Sequence, residues 1–292
     1  MSIVILASAL CACDSESELP KALSDEKIPL EVSVTANAYP EQNTKGMITG
    51  NTLTSGSIGV KVIDAGGTTY DGLAYNNVPY SYADSKWGPT SGDILLSQTS
   101  GTAYAYYPYA DGTDIRAINI TSAADKDYMY SDPITVSNVS NSAAFQMYHA
   151  MTGITITLNN GTYTGTGTVT SLKWNSVSAA TAGTLNVQTK SISGQTGGGT
   201  DFDAGLNATN TQSIRTSKTY SFMAVPTTNS GAVNFTVVMD GQTYTCSSGN
   251  LTFVSGTKYN FTLTMDSKTL SVSAVNMTDW EPSNQSPLKP TF

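Results

Sequence analysis

The sequence predicts an all-β protein built from sandwiches, and three observations lead to this fold class. Short segments of alternating apolar and polar residues recur along the chain, separated by clusters rich in Gly, Asn and Asp. Charged residues make up only 12% of the 292 residues, so the surface must be covered mostly by residues of strands and turns, such as Thr, Ser, Asn and Gly. No segment has the spacing of an amphipathic helix. Evenly spaced short strands indicate sandwiches rather than a βαβ fold.

The net charge and the scarcity of reactive side chains exclude several function classes. Lys and Arg number 14 against 22 Asp and Glu, so the formal charge is -8 and a phosphate backbone would repel the chain. No nucleic-acid partner is therefore expected. One His and three Cys provide too few ligands for the common side-chain metal sites. No metal, cofactor or catalytic residue is predicted, and the chain is not expected to be an enzyme.

The first element, residues 1–12, has the properties of a signal peptide. It is apolar and uncharged, and it is shorter than the roughly 20 apolar residues that span a bilayer. The sequence Leu10-Cys11-Ala12-Cys13 resembles the bacterial lipobox, which predicts lipid attachment to Cys13; a plain signal peptide with an incidental Cys is the alternative. The acidic run 14–18 is either a solvated linker or a counterpart of the acidic tag that routes lipoproteins to the surface of Bacteroidetes-type bacteria.

The next element, residues 13–45, is an N-terminal arm that contains one strand. Ile28, Leu30, Val32 and Val34 alternate with other residues and place four apolar side chains on one face. Such a strand needs a partner sheet.

The body of the chain consists of alternating segments that end in turns. The apolar segments 58–62, 103–109 and 154–158 each precede a cluster of Asn, Asp or Gly. Residues 234–246 form the clearest hairpin, because Asp240-Gly241 suits the two positive-φ positions of a type I′ turn. A second hairpin is predicted at 259–272, and Gly194–Gly199 is predicted as a surface loop. The polar stretch 136–142 predicts a boundary between domains at 46–142 and 143–292.

Four groups of residues were weighed as candidate chemical sites. His149 lacks a second His or a Cys pair, so a packing role is favoured over metal binding. Cys246 has no basic neighbour and is interpreted as an inert thiol. Asp201 and Asp203 form the nearest carboxylate pair to a glycosidase arrangement, but they follow a Gly-rich loop where solvated Asp is ordinary. The tyrosines of 104–109 could stack on sugars, although alternation between core and surface is favoured.

Several segments, taken in order, resemble the fimbrillin family, the FimA/Mfa-type subunits of type V pili. These segments are Gly46–Gly50 with Gly56–Val60, Trp87 with Tyr104–Tyr109, Phe145–Ala150 with Ile154–Ile156, and Gly256–Phe261 with Leu270–Trp280. The resemblance implies two tandem transthyretin-like Greek-key β-sandwich domains. It also implies a lipoprotein of the cell outer membrane, part of a fimbrium, that supports adhesion.

In that family a trypsin-like protease removes the first strand, and a strand from a neighbouring subunit takes its place. The resemblance therefore implies that Ile28, Leu30, Val32 and Val34 belong to an exchangeable strand and that processing occurs between Lys45 and Gly46. Lys45 departs from the Arg that is usual there. The proline-rich tail 281–292 is a poor donor strand, so either Leu270–Met277 is the donor or the subunit caps or anchors a fibre.

The expected partners are other fimbrial subunits, in a homo-polymer or hetero-polymer, the outer membrane through the lipid anchor, and a ligand on a host or bacterial surface. An alternative function is that of a surface glycan-binding lipoprotein in a polysaccharide uptake system. The two hypotheses differ over the arm: a pilus subunit buries the strand 28–34 in a core groove, whereas a glycan binder uses the arm as a spacer.

Overall fold

The computed structural model describes residues 26–36, 53–123 and 126–279. Within these ranges the chain is all-β, and its strands follow in the order β1 (Ile28–Pro29), β2 (Glu31–Ala36), β3 (Ser57–Ile63), β4 (Val78–Ala83), β5 (Lys86–Pro89), β6 (Leu95–Leu96), β7 (Gly101–Tyr107), β8 (Ile118–Thr121), β9 (Met129–Ser131), β10 (Ile134–Val136), β11 (Ser142–His149) and β12 (Thr152–Asn160). The remaining strands are β13 (Thr168–Asn175), β14 (Ala179–Ala180), β15 (Ala182–Asn186), β16 (Ser191–Thr196), β17 (Phe202–Asp203), β18 (Gln212–Ser213), β19 (Lys218–Pro226), β20 (Gly231–Met239), β21 (Gln242–Leu251), β22 (Thr257–Met265) and β23 (Leu270–Asp279).

The N-terminal part of the chain forms one long sheet. Its strand order is β2-β11-β9-β7-β3-β4-β5, with β10 also paired to β7. The strand predicted at 28–34 is divided between two sheets, because β1 pairs with β6 while β2 forms one end of the long sheet. The apolar residues of this sheet gather around Ile58, Val60 and Phe145 in a core that we call the N-terminal core.

The C-terminal part forms two further sheets with a core between them. One has the order β14-β19-β12-β22-β23, and the other has the order β17-β13-β20-β21 with β18 paired to β13. Trp174, Phe235 and Phe261 are fully buried in this C-terminal core. Sheets that enclose apolar side chains in this way form the predicted β-sandwich architecture. The Greek-key topology and the division into two domains stay predictions.

A third core joins residues from both parts of the chain. The strand β8 pairs with β15, which pairs with β16, so a three-stranded sheet crosses the predicted boundary. Ile118 and Ile120 pack there with Leu185 and Val225 in a cluster that we call the bridging core. This cluster also receives Tyr106, so the alternating residues of β7 face two cores rather than one core and solvent.

The pairings define two predicted segments more closely. In the polar stretch 136–142, where a domain boundary is predicted, Ser137 and Ser140 exchange backbone hydrogen bonds in a tight turn, and β11 then pairs with β9 and β2 of the long sheet. The segment Gly194–Gly199 is a loop only in part, since β16 extends to Thr196. Ser, Asn and Gly serve both tight turns and loops, and their composition does not distinguish the two.

The hairpin predicted around Asp240-Gly241 is confirmed. Met239 and Gln242 are paired on either side of a two-residue turn. Asp240 has a φ of 48° and Gly241 a φ of 75°, which are the positive values that a type I′ turn requires. No helix in the described part of the chain is long and apolar enough to cross a membrane.

Candidate functional site: the groove that holds the first strand

The first strand lies in a groove of the N-terminal sheet. Residues 31–36 pair in parallel with residues 142–147 of β11, from Ser142 opposite Glu31 to Met147 opposite Ala36. Just before them, β1 pairs antiparallel with Leu95 and Leu96 of β6. More than 100 residues separate β2 from β11 in the sequence. The pairing therefore adds a segment of the N-terminal arm to the end of the long sheet.

The groove contacts the backbone of the first strand through two asparagines. The Nδ2 of Asn138 donates a hydrogen bond to the carbonyl oxygen of Glu26, and the Nδ2 of Asn141 donates one to that of Pro29, both at 3.0 Å. The amide of Leu30 donates to the carbonyl of Ile94, and the amide of Glu31 donates to that of Asn141, both at 2.8 Å. We call Asn138 and Asn141 the asparagine clamp. Its hydrogen bonds are made to main-chain atoms, so they do not depend on the side chains of the bound strand.

Apolar side chains of the strand complete the N-terminal core. Leu30 is 4% exposed and Val34 is 7% exposed, and Ala36 is buried beside them. Val32 is half-buried and packs against the same core. Full burial of a Leu or Val side chain contributes about 1.5 to 3 kcal/mol, so removal of the strand would expose an apolar surface and an unpaired sheet edge together.

Two polar contacts lie close to the first strand. Lys27 forms an ion pair with Asp71, with 3.3 Å between Nζ and Oδ2. Burial, with a smaller contribution from the charge of Asp93, raises the pKa of Tyr80 to about 12. Tyr80 therefore stays neutral at physiological pH, and its hydroxyl lies 3.5 Å from the carbonyl oxygen of Leu30.

A cavity of about 280 Å³ lies beside β2, on the side away from β11. Its apolar lining comes from the first strand and from β4, β5 and the residues before β3, namely Val32, Val34, Leu53, Tyr82 and Trp87. Tyr82 and Trp87 meet edge to face, with 5.7 Å between their ring centroids. We call this space the groove cavity.

His149 lies at the end of β11 and is buried with a carboxylate. Its Nδ1 is 2.8 Å from Oδ2 of Asp127, and both side chains are almost fully enclosed. The predicted packing role is compatible with this position, but the pairing with Asp127 was not foreseen, since 22 residues separate the two. Within the described ranges no group of three or more His, Cys, Asp and Glu is placed to hold a metal ion.

The other candidate residues do not converge on a site. Cys246 lies on β21, where burial raises the pKa of its half-buried thiol to about 11. Such a thiol is a poor nucleophile at neutral pH. Asp201 accepts a hydrogen bond from Asn175, whereas Asp203 forms an ion pair with Lys173 at 3.5 Å. Tyr106 is fully buried, whereas Tyr104, Tyr107 and Tyr109 are half-buried.

The structure describes the four residues of the predicted exchangeable strand, whereas other predicted site residues lie outside the described ranges. Ile28 lies in β1, Leu30 follows it, and Val32 and Val34 lie in β2. Cys13, Lys45 and Gly46 lie outside the described residues, as do the signal peptide 1–12 and the tail 281–292. Sequence reasoning missed the asparagine clamp, because Asn138 and Asn141 lie in the stretch that was interpreted as a domain boundary.

Comparison with known proteins finds one matching family model and several similar solved structures. A family model described as fimbrillin-like matches residues 44–280. No curated protein sequence matches the chain. A solved structure of a "putative cell adhesion protein" from Bacteroides ovatus superposes with a TM-score of 0.66 at 20% identity, covering 89% of this chain and 100% of that one.

Two further structures described in the same words support the same fold. One, from Bacteroides uniformis, has a TM-score of 0.65 at 19% identity and covers 87% of this chain and 99% of that one. The other, from Bacteroides fragilis, has a TM-score of 0.53 at 13% identity and covers 88% of this chain and 99% of that one.

Proposed function

Because the chain belongs to the fimbrillin-like family, we propose that it is a structural fimbrial subunit of the cell surface that assembles when a protease removes its first strand and a neighbouring subunit supplies a replacement. The observation that carries this proposal is the position of Leu30 and Val34. Both are buried in the N-terminal core, although they belong to a segment that precedes the match to the family model. A glycan-binding lipoprotein would need only a spacer there.

The placement of β2 fits a replaceable strand. It is the last strand at its end of the sheet, so it can leave without separating two other strands. Its departure would expose the edge of β11, whose main-chain groups would then be free to pair with another strand, as in β-strand addition. The family relationship and the mode of pairing thus support the same mechanism.

The donor in this proposal is β23 of a second copy. Among the described strands it is the last one at its end of the C-terminal sheet, and it pairs with β22 alone. Met277 on it is 64% exposed, which is unusual for a large apolar side chain. A strand with a free edge and an exposed apolar side chain has the chemistry that an apolar groove accepts.

Processing at Lys45 is tested by substitution and by direct observation of assembly. In the proposed mechanism Lys45→Ala blocks the cut, and the chain stays a monomer when a trypsin-like protease is added. Lys268→Ala, in the exposed turn between β22 and β23, is the matched control and should assemble like the parent chain. Negative-stain microscopy and N-terminal mass analysis provide the readout. Fibres from the Lys45→Ala variant with an intact N-terminus would contradict the proposal.

The lipid anchor is a separate part of the proposal and has its own test. Lipidation of Cys13 would attach the exported chain to the outer membrane before it is processed. Cys13→Ser should therefore abolish incorporation of a labelled fatty acid, whereas Cys11→Ser, two residues away, should retain it. Equal labelling of both variants would remove Cys13 from the mechanism.

A further inference from the structure

The first strand has main-chain contacts on both sides in its first half and on one side in its second half. Residues 26–31 have contacts on both sides, because the asparagine clamp and the carbonyls of Asn141 and Ile94 bind their main chain and Lys27 pairs with Asp71. The antiparallel pairing of β1 with β6 adds further support. These contacts come from three separate segments of the N-terminal part.

Residues 32–36 have a hydrogen-bonded neighbour on one side only. They pair with β11, and no backbone hydrogen bond from the described residues reaches them from the opposite side. The groove cavity lies on that open side, between β2 and the strand β5 at the other end of the sheet. As far as the described residues go, half of the resident strand therefore has an unpaired edge next to an apolar space.

From this asymmetry we propose that strand exchange begins at the groove cavity and ends at the asparagine clamp. A strand of a second copy first inserts an apolar side chain between Trp87 and Val32. It then displaces residues 36 to 32 from β11 and finally takes over the contacts to Asn138 and Asn141. This inference rests on the proposed function and specifies the order of its steps.

A strand from a second copy fits this cavity better than a small molecule does. The open edge of β2 presents main-chain groups to which no described residue is bonded, and another strand can pair with them along its length. The cavity has ample room for a large apolar side chain, and Met277 on the edge strand β23 supplies such a group.

The asparagine clamp is suited to the final step. Because it binds carbonyl oxygens, it can hold the resident strand and an incoming strand of a different sequence equally well. Retaining the clamp until last keeps the groove occupied throughout the exchange, so the N-terminal core is never fully exposed to water. The two halves of the groove thus have different functions, entry and retention.

Hydrogen exchange on the intact chain tests the asymmetry without any assembly. NMR should show that the bonded amides of residues 32–36 exchange at least about tenfold faster than those of Leu30 and Glu31, because an opening of one strand end suffices to expose them. Equal protection along the strand, or better protection of its second half, would overturn the inference even if the protein forms fibres.

Exchange kinetics test the order of the steps. The full chain, with a site for a sequence-specific protease inserted between Lys45 and Gly46, is cut and mixed with a labelled peptide of residues 270–279. Thr54→Trp fills the rim of the cavity and should slow the first binding of the peptide about tenfold. Thr245→Trp, on an exposed position of β21, is the matched control and should leave the binding rate unchanged.

Asn141→Ala separates the retention step from the entry step. Loss of one hydrogen bond should speed the release of the resident strand by about tenfold, while the first binding of the peptide keeps its rate. An unchanged binding rate in Thr54→Trp, or a slower one in Asn141→Ala, would overturn the order proposed. If hydrogen exchange shows the expected gradient but no peptide enters the cut parent chain, the proposed function itself fails.

Discussion

Leu30 illustrates how a single residue ties the arm to the rest of the molecule. It is 4% exposed and packs in the N-terminal core, whereas Leu73, in the same part of the chain, is 41% exposed. Truncation of a buried Leu removes apolar contacts and leaves a cavity, which costs about 2 to 5 kcal/mol. The same truncation at a half-exposed position costs far less.

We therefore expect Leu30→Ala to lower the free energy of unfolding by about 2 to 5 kcal/mol and Leu73→Ala to lower it by less than about 1 kcal/mol. Urea denaturation of the uncut full chain measures both. A comparable loss in the two variants would mean that the first strand contributes no more to the core than a surface loop does.

The pair of His149 and Asp127 gives a second prediction for individual residues. Both side chains are enclosed, so removing one takes a buried hydrogen-bond partner away from the other. Loss of one partner of a buried polar contact costs about 1 to 3 kcal/mol. An exposed ion pair such as that of Asp203 with Lys173 contributes less than about 1 kcal/mol.

Asp127→Ala should consequently destabilise the protein by about 1 to 3 kcal/mol, which is more than the effect of Asp203→Ala, the matched control. Thermal denaturation at neutral pH, followed by circular dichroism, compares the two variants. If their midpoints agree within the error of the measurement, the buried pair has no special role in stability.

Among the elements, the hairpin of β20 and β21 follows from local chemistry alone. Its turn requires two adjacent residues with positive φ, and the adjacent Asp240 and Gly241 supply them. Gly249, further along β21, has no positive φ and has open space around its Cα. The two glycines thus differ in backbone conformation and not in crowding.

Gly241→Ala should destabilise the protein by about 1 to 2 kcal/mol, since a left-handed backbone strains any residue with a Cβ. Gly249→Ala should be neutral or slightly stabilising, because Ala restricts the unfolded chain more than Gly does. Chemical denaturation measures the difference, and equal effects would show that the turn does not impose the backbone conformation described.

The elements that sequence could predict are those whose signals are local. Alternation identified β3 and β12, and turn chemistry identified the hairpin at Asp240. The parallel pairing of β2 with β11 depends on residues more than 100 positions apart. The sequence of a short strand does not specify which other strand it pairs with. The asparagine clamp was missed for the same reason. Asn138 and Asn141 bind main-chain carbonyls of the arm, which is distant from them in the sequence.

For the molecule as a whole, the bridging core determines how its parts behave together. It unites Ile118 and Ile120 with Leu185 and Val225, which lie on opposite sides of the boundary predicted at residue 142. Hydrogen bonds reinforce this contact, since the amide of Val225 donates to Oγ of Ser122, and that Oγ donates to the carbonyl of Ala180. A subunit that transmits tension along a fibre benefits from such a connection, because its two parts resist separation.

We expect the two parts to unfold as one unit for this reason. Trp87 lies in the N-terminal core and Trp174 in the C-terminal core, so fluorine-labelled tryptophan reports on each by NMR. Trp→Phe variants assign the resonances. In a urea titration both signals should change with the same midpoint and the same slope, because separating the parts would expose the buried residues of the bridging core to water. Two distinct midpoints would show that the predicted domains at 46–142 and 143–292 fold independently. The bridging core would then be a contact too weak to couple them.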